Sequence, residues 1–600
     1  MRKVLVVLAA MLLASTALAG TDLVRSHLST TVAKVDIASL SAKLTALYGA
    51  DAAASYLGSQ VCLACHNGSA GFPADRSGWH NTFHAQMMRR PMGQYTLKYG
   101  MGVIANQAHG ATDDFMVGLN LSAIGAFSAY GANAPVLSYN ATNDTYWMTI
   151  GTLKCQVVAT LAGNIEVDGT GIQGQDYLLR VPVTDTPTKL SMALYFAPAS
   201  YSPAAGWAPA SGWYDSNYNP KYGATTTSSQ LVASGGPQSH TRSCVGCHVT
   251  GIRSISINAA GEAVFQGYYA TLYNANDPMY VDYNGDGNFE LTSIGCESCH
   301  GPGAQHVLAG GDPTKIVDPL TLTGAQSAEI CGRCHIRGKS VPAGTWAWPY
   351  HDDTGTDWIP QQTGSWVELT TFQGTGALNY WGDGVLPSNA RPWDQYVLSG
   401  HGQSTYGQNG SAVPCSDCHD LHNNQQVDQI VTSRQGEGSA SSVTIPTSPA
   451  NDTLCLSCHV GHTFPTLTAA MAADYADNLD AIGDAISAHT NHPYAPQRMM
   501  GLSNCITCHM SADGGHTWIP LSPQNTLTYA TSGVKNASGN YVGYPNACAN
   551  SCHNTLVNIF GLGLNPTPSI WTTTYATSLA TILQTYYGPG GTWWNTTPAP

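Results

Sequence analysis

Charged side chains are scarce in this chain of 600 residues. Asp, Glu, Lys and Arg together make up 10% of it, whereas an ordinary soluble protein contains about 25%. Basic residues are the scarcer sign, with 23 Lys and Arg against 37 Asp and Glu, and the formal net charge is −14. Nucleic-acid binding depends on clustered Lys and Arg that neutralise phosphates. We therefore expect no nucleic-acid partner.

Long hydrophobic runs are also missing, except at the N terminus. Residues 1–19 combine Arg2 and Lys3, an apolar stretch over 4–13 and a small-residue cleavage site at 17–19, which is the pattern of a secretory signal peptide. No later segment reaches about 18 uninterrupted apolar residues. The sequence therefore predicts an exported chain without a transmembrane anchor. The chain also lacks a P-loop, a dinucleotide fingerprint and a nucleophile elbow.

Cysteine, by contrast, is abundant, with 17 in the chain. Sixteen of them form seven C-x-x-C-H motifs and an eighth, C-x-x-x-C-H, numbered here in chain order. Their cysteines are Cys62, Cys65, Cys244, Cys247, Cys296, Cys299, Cys331, Cys334, Cys415, Cys418, Cys455, Cys458, Cys505, Cys508, Cys548 and Cys552. The histidines that close them are His66, His248, His300, His335, His419, His459, His509 and His553. The remaining Cys155 lies in a strand-like run and is predicted to be a buried apolar thiol.

This spacing matches the chemistry of covalent haem attachment. Two thiols three positions apart reach the two vinyl groups of one haem and form thioethers, and the following imidazole ligates the iron. A single such motif is also compatible with a redox dithiol or half a zinc site. Eight of them, each with its histidine in an exported chain, predict eight covalently attached haem c groups.

The 13 other histidines are the first candidates for the sixth ligand of each iron. Several lie close to a motif, within reach of a short tether, including His80 and His84 near the first motif. A methionine, Met87, Met88 or Met92, is the alternative ligand, and it would raise the potential of that haem. An iron that holds two imidazoles has no open position for a substrate. No C-x-x-C-K variant is present, so a lysine-ligated catalytic haem is not indicated.

The residues around the motifs resemble two known families, over about half of the chain. CLACH…WHNTFHAQM, SCVGCHVTG, GCESCHGPGAQHV and ICGRCHIRG resemble the cytochrome c domain of ammonia oxidisers. PCSDCHDLH, LCLSCHVGH, HTNHP, CITCHM and PNACANSCH resemble the doubled C-x-x-C-H cytochrome domain. The resemblance implies closely stacked, mostly bis-histidine haems that transfer electrons. It also implies the distal ligands His84, His240, His306, His401, His422, His462, His492 and His516, with His489 as the competitor of His492, and it leaves their pairing with the motifs open.

The predicted fold is a multihaem cytochrome c, mostly irregular, with short α-helices wrapped around stacked haems and an inserted small β-sandwich. We expect helices over about 33–57, 467–489 and 571–583, because apolar residues recur there at helical spacing. The β-branched and aromatic segments between the first two motifs predict the sandwich. The predicted divisions are a signal peptide (1–19), a helix with the first haem (20–94), the β-rich insertion (95–235), a triple-haem segment (236–340), a Trp/Gly/Pro-rich loop region (341–400), a four-haem segment (401–560) and a C-terminal tail (561–600).

One further motif suggests a metal other than iron. Asp282, Asn284 and Asp286 alternate as in the first half of a calcium-binding loop, with glycine at the sixth position. The twelfth position is Ser293 instead of the usual glutamate. A calcium site and an Asn-Gly turn are therefore both open interpretations.

The preferred functional hypothesis is an electron conduit between other redox proteins and an extracellular acceptor. Low charge and 30 tyrosines suit a location at the outer surface or outside the cell, in preference to the periplasm. Self-assembly into a filament is a further hypothesis, in which His27 ligates a haem of a neighbouring copy. The alternatives are a multihaem oxidoreductase that acts on a small nitrogen or sulfur compound at a five-coordinate haem, and a periplasmic electron shuttle.

Overall fold

The structure is a computed structural model, and it describes residues 36–68, 75–91, 111–162, 174–202, 205–272, 279–336, 338–360, 369, 392–422, 429–436, 442–448, 451–461, 463–490, 504–510, 515–518 and 572–587. The α-helices of this part of the chain are Ile37–Tyr48, Ser59–Leu63, Ala111–Val117, Ser228–Leu231, His240–Ser243, Val245–His248, Cys296–His300, Ala304–Leu308, Gly324–Gly332, Pro392–Tyr396, Thr453–His459, Ala469–Ala473, Leu479–Thr490, Cys505–His509 and Thr573–Tyr587. Short 3-10 helices cover Gly49–Ala54, Ser77–Asn81, Leu121–Ala123, Gly125–Asn133, Pro313–Lys315, Pro319–Thr321, Gln408–Gly410 and Cys415–Asp417.

The chain divides into two compact units. The first contains Met1–Pro319, Lys339–Trp366 and Leu421–Val427, and the second contains Leu320–Gly338, Val367–Asp420 and Asp428–Pro600. The predicted signal peptide and the eighth motif lie outside the described residues. Among the residues that are described, no helix has the length and apolar character needed to cross a membrane.

The N-terminal helix of the first unit is shorter than the segment predicted to be helical. The Asp36 carboxylate caps Ile37–Tyr48 by accepting hydrogen bonds from the backbone N–H groups of Ala38 and Ser39. The helix buries Leu40 and Leu44 on one face and ends at Gly49, whose φ of 58° favours glycine. The chain then continues as the 3-10 helix Gly49–Ala54 to the first motif.

An eight-stranded antiparallel sheet occupies the region between the first two motifs. Its strands are β1 (Met88–Arg89), β2 (Val136–Asn140), β3 (Thr145–Ile150), β4 (Leu153–Ala162), β5 (Gln175–Arg180), β6 (Tyr195–Phe196), β7 (Ala199–Ser202) and β8 (Gly206–Pro209). The order is β2-β3-β4-β5-β7-β8, with β1 paired to β4 and β6 paired to β5. The tight β2–β3 hairpin opposes Tyr139 to Tyr146.

This sheet differs from the predicted sandwich, because no second large sheet is present in the described chain. One face packs against a core that includes Phe115, Phe127 and Trp213. On the other face, Val158 and Leu161 of β4 pack into a cluster with Val245, which lies inside the second motif. The haem-motif segments therefore cover the face that a second sheet would cover in a sandwich. Cys155 is fully buried on β4, as expected for an apolar thiol.

Three two-stranded hairpins complete the described strands. They pair Ile252–Ile257 with Ala263–Gly267, Tyr350–His351 with Thr356–Asp357, and Ser433–Gln435 with Thr444–Pro446. In the second unit, the predicted helix over 467–489 is divided into Ala469–Ala473 and Leu479–Thr490, because Asp474 leaves the helical region with φ −107° and ψ 54°. The C-terminal helix is Thr573–Tyr587.

Candidate haem-binding centres

The described C-x-x-C-H motifs fold as short helical turns. In the first motif, the N–H of His66 donates to the carbonyl of Cys62 at 2.9 Å. The same bond joins His419 to Cys415 at 3.0 Å in the fifth motif. Side chains three positions apart lie on one face of a helical turn, so each turn presents its two thiols together. This local geometry follows from the spacing and fits two thioether bonds to one haem.

Pairs of histidine rings recur at one centroid spacing. Imidazoles that bind one metal from opposite sides, with bonds of about 2.0–2.1 Å as measured for zinc, have ring centroids about 6.3 Å apart. Among the described residues five pairs have this spacing, and their centroid distances and interplanar angles are as follows: His66–His306 (6.4 Å, 20°), His300–His422 (6.3 Å, 35°), His419–His516 (6.2 Å, 24°), His489–His509 (6.4 Å, 14°) and His401–His459 (6.0 Å, 86°).

The outer ring nitrogens of these histidines have their own partners. The Nδ1 atoms of His300 and His306 lie 2.8 Å from the carbonyls of Val317 and Asp312, and the Nδ1 of His509 lies 3.1 Å from the carbonyl of Trp518. A carbonyl only accepts, so each Nδ1 carries the proton and Nε2 keeps its lone pair for a metal.

Burial favours the neutral form of these imidazoles. It lowers the pKa of His300, His489 and His509 and lowers that of His401 to about 4, because the charged form loses its hydration. A neutral imidazole is the form that binds a metal. These four imidazoles are therefore in the metal-binding form at neutral pH.

Three of the pairs join one motif to a histidine that follows another motif. His306 follows the third motif but faces His66 of the first, His422 follows the fifth motif but faces His300 of the third, and His516 follows the seventh motif but faces His419 of the fifth. A histidine three to seven residues after a motif cannot pass around a haem to its opposite face. Proximity in sequence therefore does not identify the motif that a histidine serves.

Cysteines of different motifs also meet. The pKa of the Cys62 thiol is raised by the neighbouring thiol of Cys296, that of Cys331 by Cys415, and that of Cys505 by Cys455. Two polar side chains support these contacts, since the N–H of Cys296 donates to Ser59 Oγ at 3.0 Å and that of Cys505 donates to Asp452 Oδ1 at 2.9 Å. The first and third, fourth and fifth, and sixth and seventh motifs thus form three adjacent pairs.

Glu297 follows Cys296 in the third motif, and its hydrogen bonds connect the third motif to the backbone just before the first motif. Its buried carboxylate accepts hydrogen bonds from the N–H groups of Leu57 at 2.9 Å, Gly58 at 2.8 Å and Gly303 at 2.7 Å. Burial raises the pKa of Glu297 to about 7. Sequence reasoning missed this residue, although an acid inside an attachment motif of a charge-poor chain is a detectable signal.

The second motif has a different histidine arrangement. His240 and His248 have ring centroids only 5.2 Å apart, and Nε2 of His240 lies 3.0 Å from Nδ1 of His248. The Nδ1 of His240 lies 2.8 Å from the hydroxyl of Tyr283. Both nitrogens of the predicted ligand His240 are therefore occupied by hydrogen bonds. Trp348 packs against Gly246 so closely that a β-carbon at that position would overlap the indole ring.

The other predicted ligands are placed only in part. The carbonyl of His84 accepts a hydrogen bond from Ile294 at 3.1 Å, just before the third motif. The side chain of His80, together with His27, Met92, His462, His492 and the eighth motif with Cys548, Cys552 and His553, lies outside the described residues. His489, the competitor of His492, is the histidine found opposite His509.

The acidic loop at Asp282 forms a hydrogen-bonded turn. The Asp282 carboxylate accepts from the N–H groups of Gly285 at 2.7 Å and Gly287 at 3.1 Å, and the Asp286 carboxylate accepts from the Tyr269 hydroxyl at 2.7 Å. No cluster of three or more His, Cys, Asp or Glu side chains suited to a metal ion occurs among the described residues. The turn interpretation explains these contacts, and a calcium ion at Asp282, Asn284 and Asp286 stays a prediction.

Several buried donors of the described chain have no acceptor. They are Nε and Nη1 of Arg89, the indole N–H groups of Trp348 and Trp393, and Nδ1 of His401. Arg89 is 2% exposed, and burial lowers the pKa of its guanidinium to about 9. A buried unpaired cation is costly, so an anionic group that meets Arg89 would be stabilising.

Comparisons with known proteins identify no family for this chain. No protein-family model matches, and no curated protein does. The outer cell wall cytochrome OcwA matches at a TM-score of 0.42 and 15% identity, over 88% of this chain and 86% of its own. An undecahaem cytochrome from the S-layer of Carboxydothermus ferrireducens matches at a TM-score of 0.28 and 17% identity, over 78% of this chain and 52% of its own.

Both of these structures are described as cytochromes. Their TM-scores are too low to transfer properties to this chain, and its function is argued below from its own residues. The resemblance to the cytochrome c domain of ammonia oxidisers is not shown by these comparisons and stays a prediction, as does the resemblance to the doubled C-x-x-C-H domain.

Proposed function

We propose that this chain is an octahaem c-type cytochrome that transfers electrons between other redox proteins and an extracellular acceptor. The observation that carries the proposal is the set of five histidine pairs at 6.0–6.4 Å, each containing the histidine of a C-x-x-C-H motif. Hydrogen bonds alone would draw two imidazoles closer together, whereas a shared metal requires this separation.

The residues fit haem in three further respects. The motif turns present two thiols on one side, the carbonyl partners of Nδ1 leave Nε2 for iron, and burial keeps the rings neutral. The unpaired buried N–H groups of Arg89 and Trp348 are suited to donate hydrogen bonds to the carboxylates of haem propionates. When bound, haem supplies one-electron redox chemistry.

The chain's own residues favour electron transfer over substrate binding. In the five pairs, both axial positions of the iron would be filled by histidine, which leaves no site for a substrate. The proximity of cysteines from different motifs supports closely packed haems, and the family resemblance implies that they are stacked. The predicted signal peptide over 1–19 supports export, and self-assembly at the cell surface is part of the proposal.

Haem stoichiometry and spin state test this function on the purified full chain. Intact mass and the pyridine haemochrome assay should give eight haems per chain, including one on the C-x-x-x-C-H motif. Electron paramagnetic resonance should assign the five paired centres as low-spin ferric haems. A haem count of zero, or metal content dominated by zinc, would overturn the proposal. Carbon monoxide binding to the reduced protein would favour the alternative of an oxidoreductase with a five-coordinate haem.

A further inference from the structure

His240 occupies a fully enclosed position beside the second motif. It is 0% exposed, and so is Tyr283 next to it. Three contacts run through this enclosure: His248 Nδ1 to His240 Nε2 at 3.0 Å, His240 Nδ1 to the Tyr283 hydroxyl at 2.8 Å, and the Tyr283 hydroxyl to Thr241 Oγ1 at 3.0 Å. Thr241 Oγ1 also accepts the N–H of Leu194 at 2.9 Å.

One arrangement of protons satisfies the whole series. If Nε2 of His248 ligates iron, its Nδ1 carries a proton and donates it to Nε2 of His240. His240 then carries its own proton on Nδ1 and donates it to the Tyr283 oxygen, whose hydroxyl donates to Thr241. Neither nitrogen of His240 remains for a metal.

The other motifs show that this is a variant of a common arrangement. The Nδ1 atoms of His300 and His509 donate to backbone carbonyls, and their partner rings lie about 6.3 Å away, across the proposed iron. In the second motif the acceptor for Nδ1 is the imidazole of His240, whose ring is 5.2 Å from that of His248. His240 therefore occupies the place of the carbonyl acceptor and not that of the distal ligand.

Resting on the proposed haem binding, we infer that His240 is a positioning residue that holds the tautomer and orientation of His248 and tunes the second haem, and is not its sixth ligand. An imidazole is a stronger acceptor than a carbonyl. It gives His248 more negative character and makes it a stronger donor to iron, which stabilises the ferric state and lowers the potential. Tyr283 fixes the ring of His240 from its other side.

Three variants of the full-length holoprotein test the inference. In His240→Leu the acceptor is lost, and we expect one haem potential to rise while the number of low-spin ferric haems stays unchanged. His240→Gln retains only an amide carbonyl acceptor, which is weaker than an imidazole, and should therefore restore part of the wild-type potential. His306→Leu is the matched control, because it removes a proposed distal ligand and should convert one low-spin haem to high-spin. Spectroelectrochemistry and electron paramagnetic resonance measure both quantities.

The outcomes separate the possible failures. A new high-spin haem in both His240 variants would show that His240 is a ligand and would overturn the inference. Unchanged haem potentials in His240→Leu would also overturn it. The same holds if His240→Gln shifts the potential as far as His240→Leu does. If His306→Leu produces no high-spin haem, the axial pairs of the proposed function fail, independently of His240. If His240→Leu does not incorporate haem, Tyr283→Phe provides the test. We expect this variant to raise the same haem potential by a smaller amount. An unchanged potential in Tyr283→Phe would contradict the inference.

Discussion

The sheet of residues 88–209 and the turns that carry the C-x-x-C-H motifs are held together by different interactions. The sheet buries a continuous core of aromatic and aliphatic side chains, among them Phe115, Tyr146, Tyr177 and Trp207. The motif turns, such as Cys296–His300, are only a few residues long and depend on buried polar groups that bind backbone N–H groups, Glu297 being the clearest example.

The difference shows that long and short segments of this chain are stabilised by different kinds of interaction. A segment of more than one hundred residues without a motif must build its core from its own side chains. A segment of one helical turn cannot do so, and it is fixed by specific hydrogen bonds such as those that Glu297 accepts. Apolar truncations should therefore affect the sheet most, and changes of buried polar groups should affect the motif turns.

The largest effect is expected from Phe115→Ala in the sheet core. Phe115 is fully buried, with ring centroids 5.7 Å from Tyr146, 5.7 Å from Tyr177 and 6.1 Å from Trp207. Truncation of a buried phenylalanine costs about 3–5 kcal/mol. Calorimetric unfolding should show this loss with eight haems still attached. Tyr406→Ala, at a residue that is 91% exposed, should change the free energy of unfolding by no more than about 0.5 kcal/mol. An equal loss of stability in both variants would contradict the role of the buried aromatic core.

The second effect is a pH dependence that originates from Glu290. Burial raises the pKa of this carboxyl to about 8, above its value of about 4.3 in an unfolded chain. Between these values the folded state keeps a proton that the unfolded state has lost, so the free energy of unfolding falls as the pH rises. We expect a fall of about 3–4 kcal/mol between pH 5 and pH 8.

Glu290→Gln isolates this contribution, because an amide does not titrate. Unfolding of the wild type and the variant at a series of pH values should give curves that diverge from about pH 5 and become parallel above about pH 8. A constant difference across this range would show that Glu290 ionises normally in the folded protein.

Glu297→Ala should have the third largest effect. It leaves the N–H groups of Leu57, Gly58 and Gly303 without their acceptor. An unsatisfied buried group costs about 1–3 kcal/mol. Because water that enters the vacated space recovers part of this cost, we expect the free energy of unfolding to fall by about 2–3 kcal/mol in total. Asp51→Ala, an exposed acid of the same unit, should be near neutral. A similar loss of stability in both variants would show that the hydrogen bonds of Glu297 do not stabilise the motif turns.

The sequence predicted those parts of the fold and site that depend on local spacing. The motif turns, the helix at Ile37–Tyr48 and the buried Cys155 follow from periodicity and neighbouring residues. The single sheet in place of a sandwich could not be foreseen, because its second face is covered by residues such as Val245 and Trp348, which are distant in sequence.

The pairing of histidines was beyond sequence reasoning for the same reason. His306 lies six residues after His300, yet its ring faces His66, 240 positions earlier. Nothing in the spacing distinguishes a histidine that crosses to another motif from one that hydrogen-bonds within its own, as His240 does with His248. Only the tertiary contacts separate these two cases.

The smallest expected effect is spectral, and it distinguishes two kinds of histidine pair. The planes of His401 and His459 are 86° apart, whereas those of His489 and His509 are 14° apart. Perpendicular axial imidazoles leave two iron d orbitals nearly equal in energy and produce a strongly anisotropic low-spin signal, whereas parallel ones split these orbitals and produce a rhombic signal. We therefore expect one strongly anisotropic signal among the five paired centres.

Trp518 packs against one ring of the perpendicular pair. Its ring packs edge-on against His401, with centroids 4.5 Å apart, and also against His516 at 5.1 Å. The Nδ1 of His401 has no hydrogen bond, so packing alone sets the rotation of the ring. Trp518→Leu should let His401 rotate and shift the anisotropic signal towards the rhombic type, with little change in stability. The carbonyl of Trp518 that binds His509 is kept, so the rhombic signal of that pair is the internal control. An unchanged spectrum would mean that the haem itself, and not the aromatic packing, sets the angle.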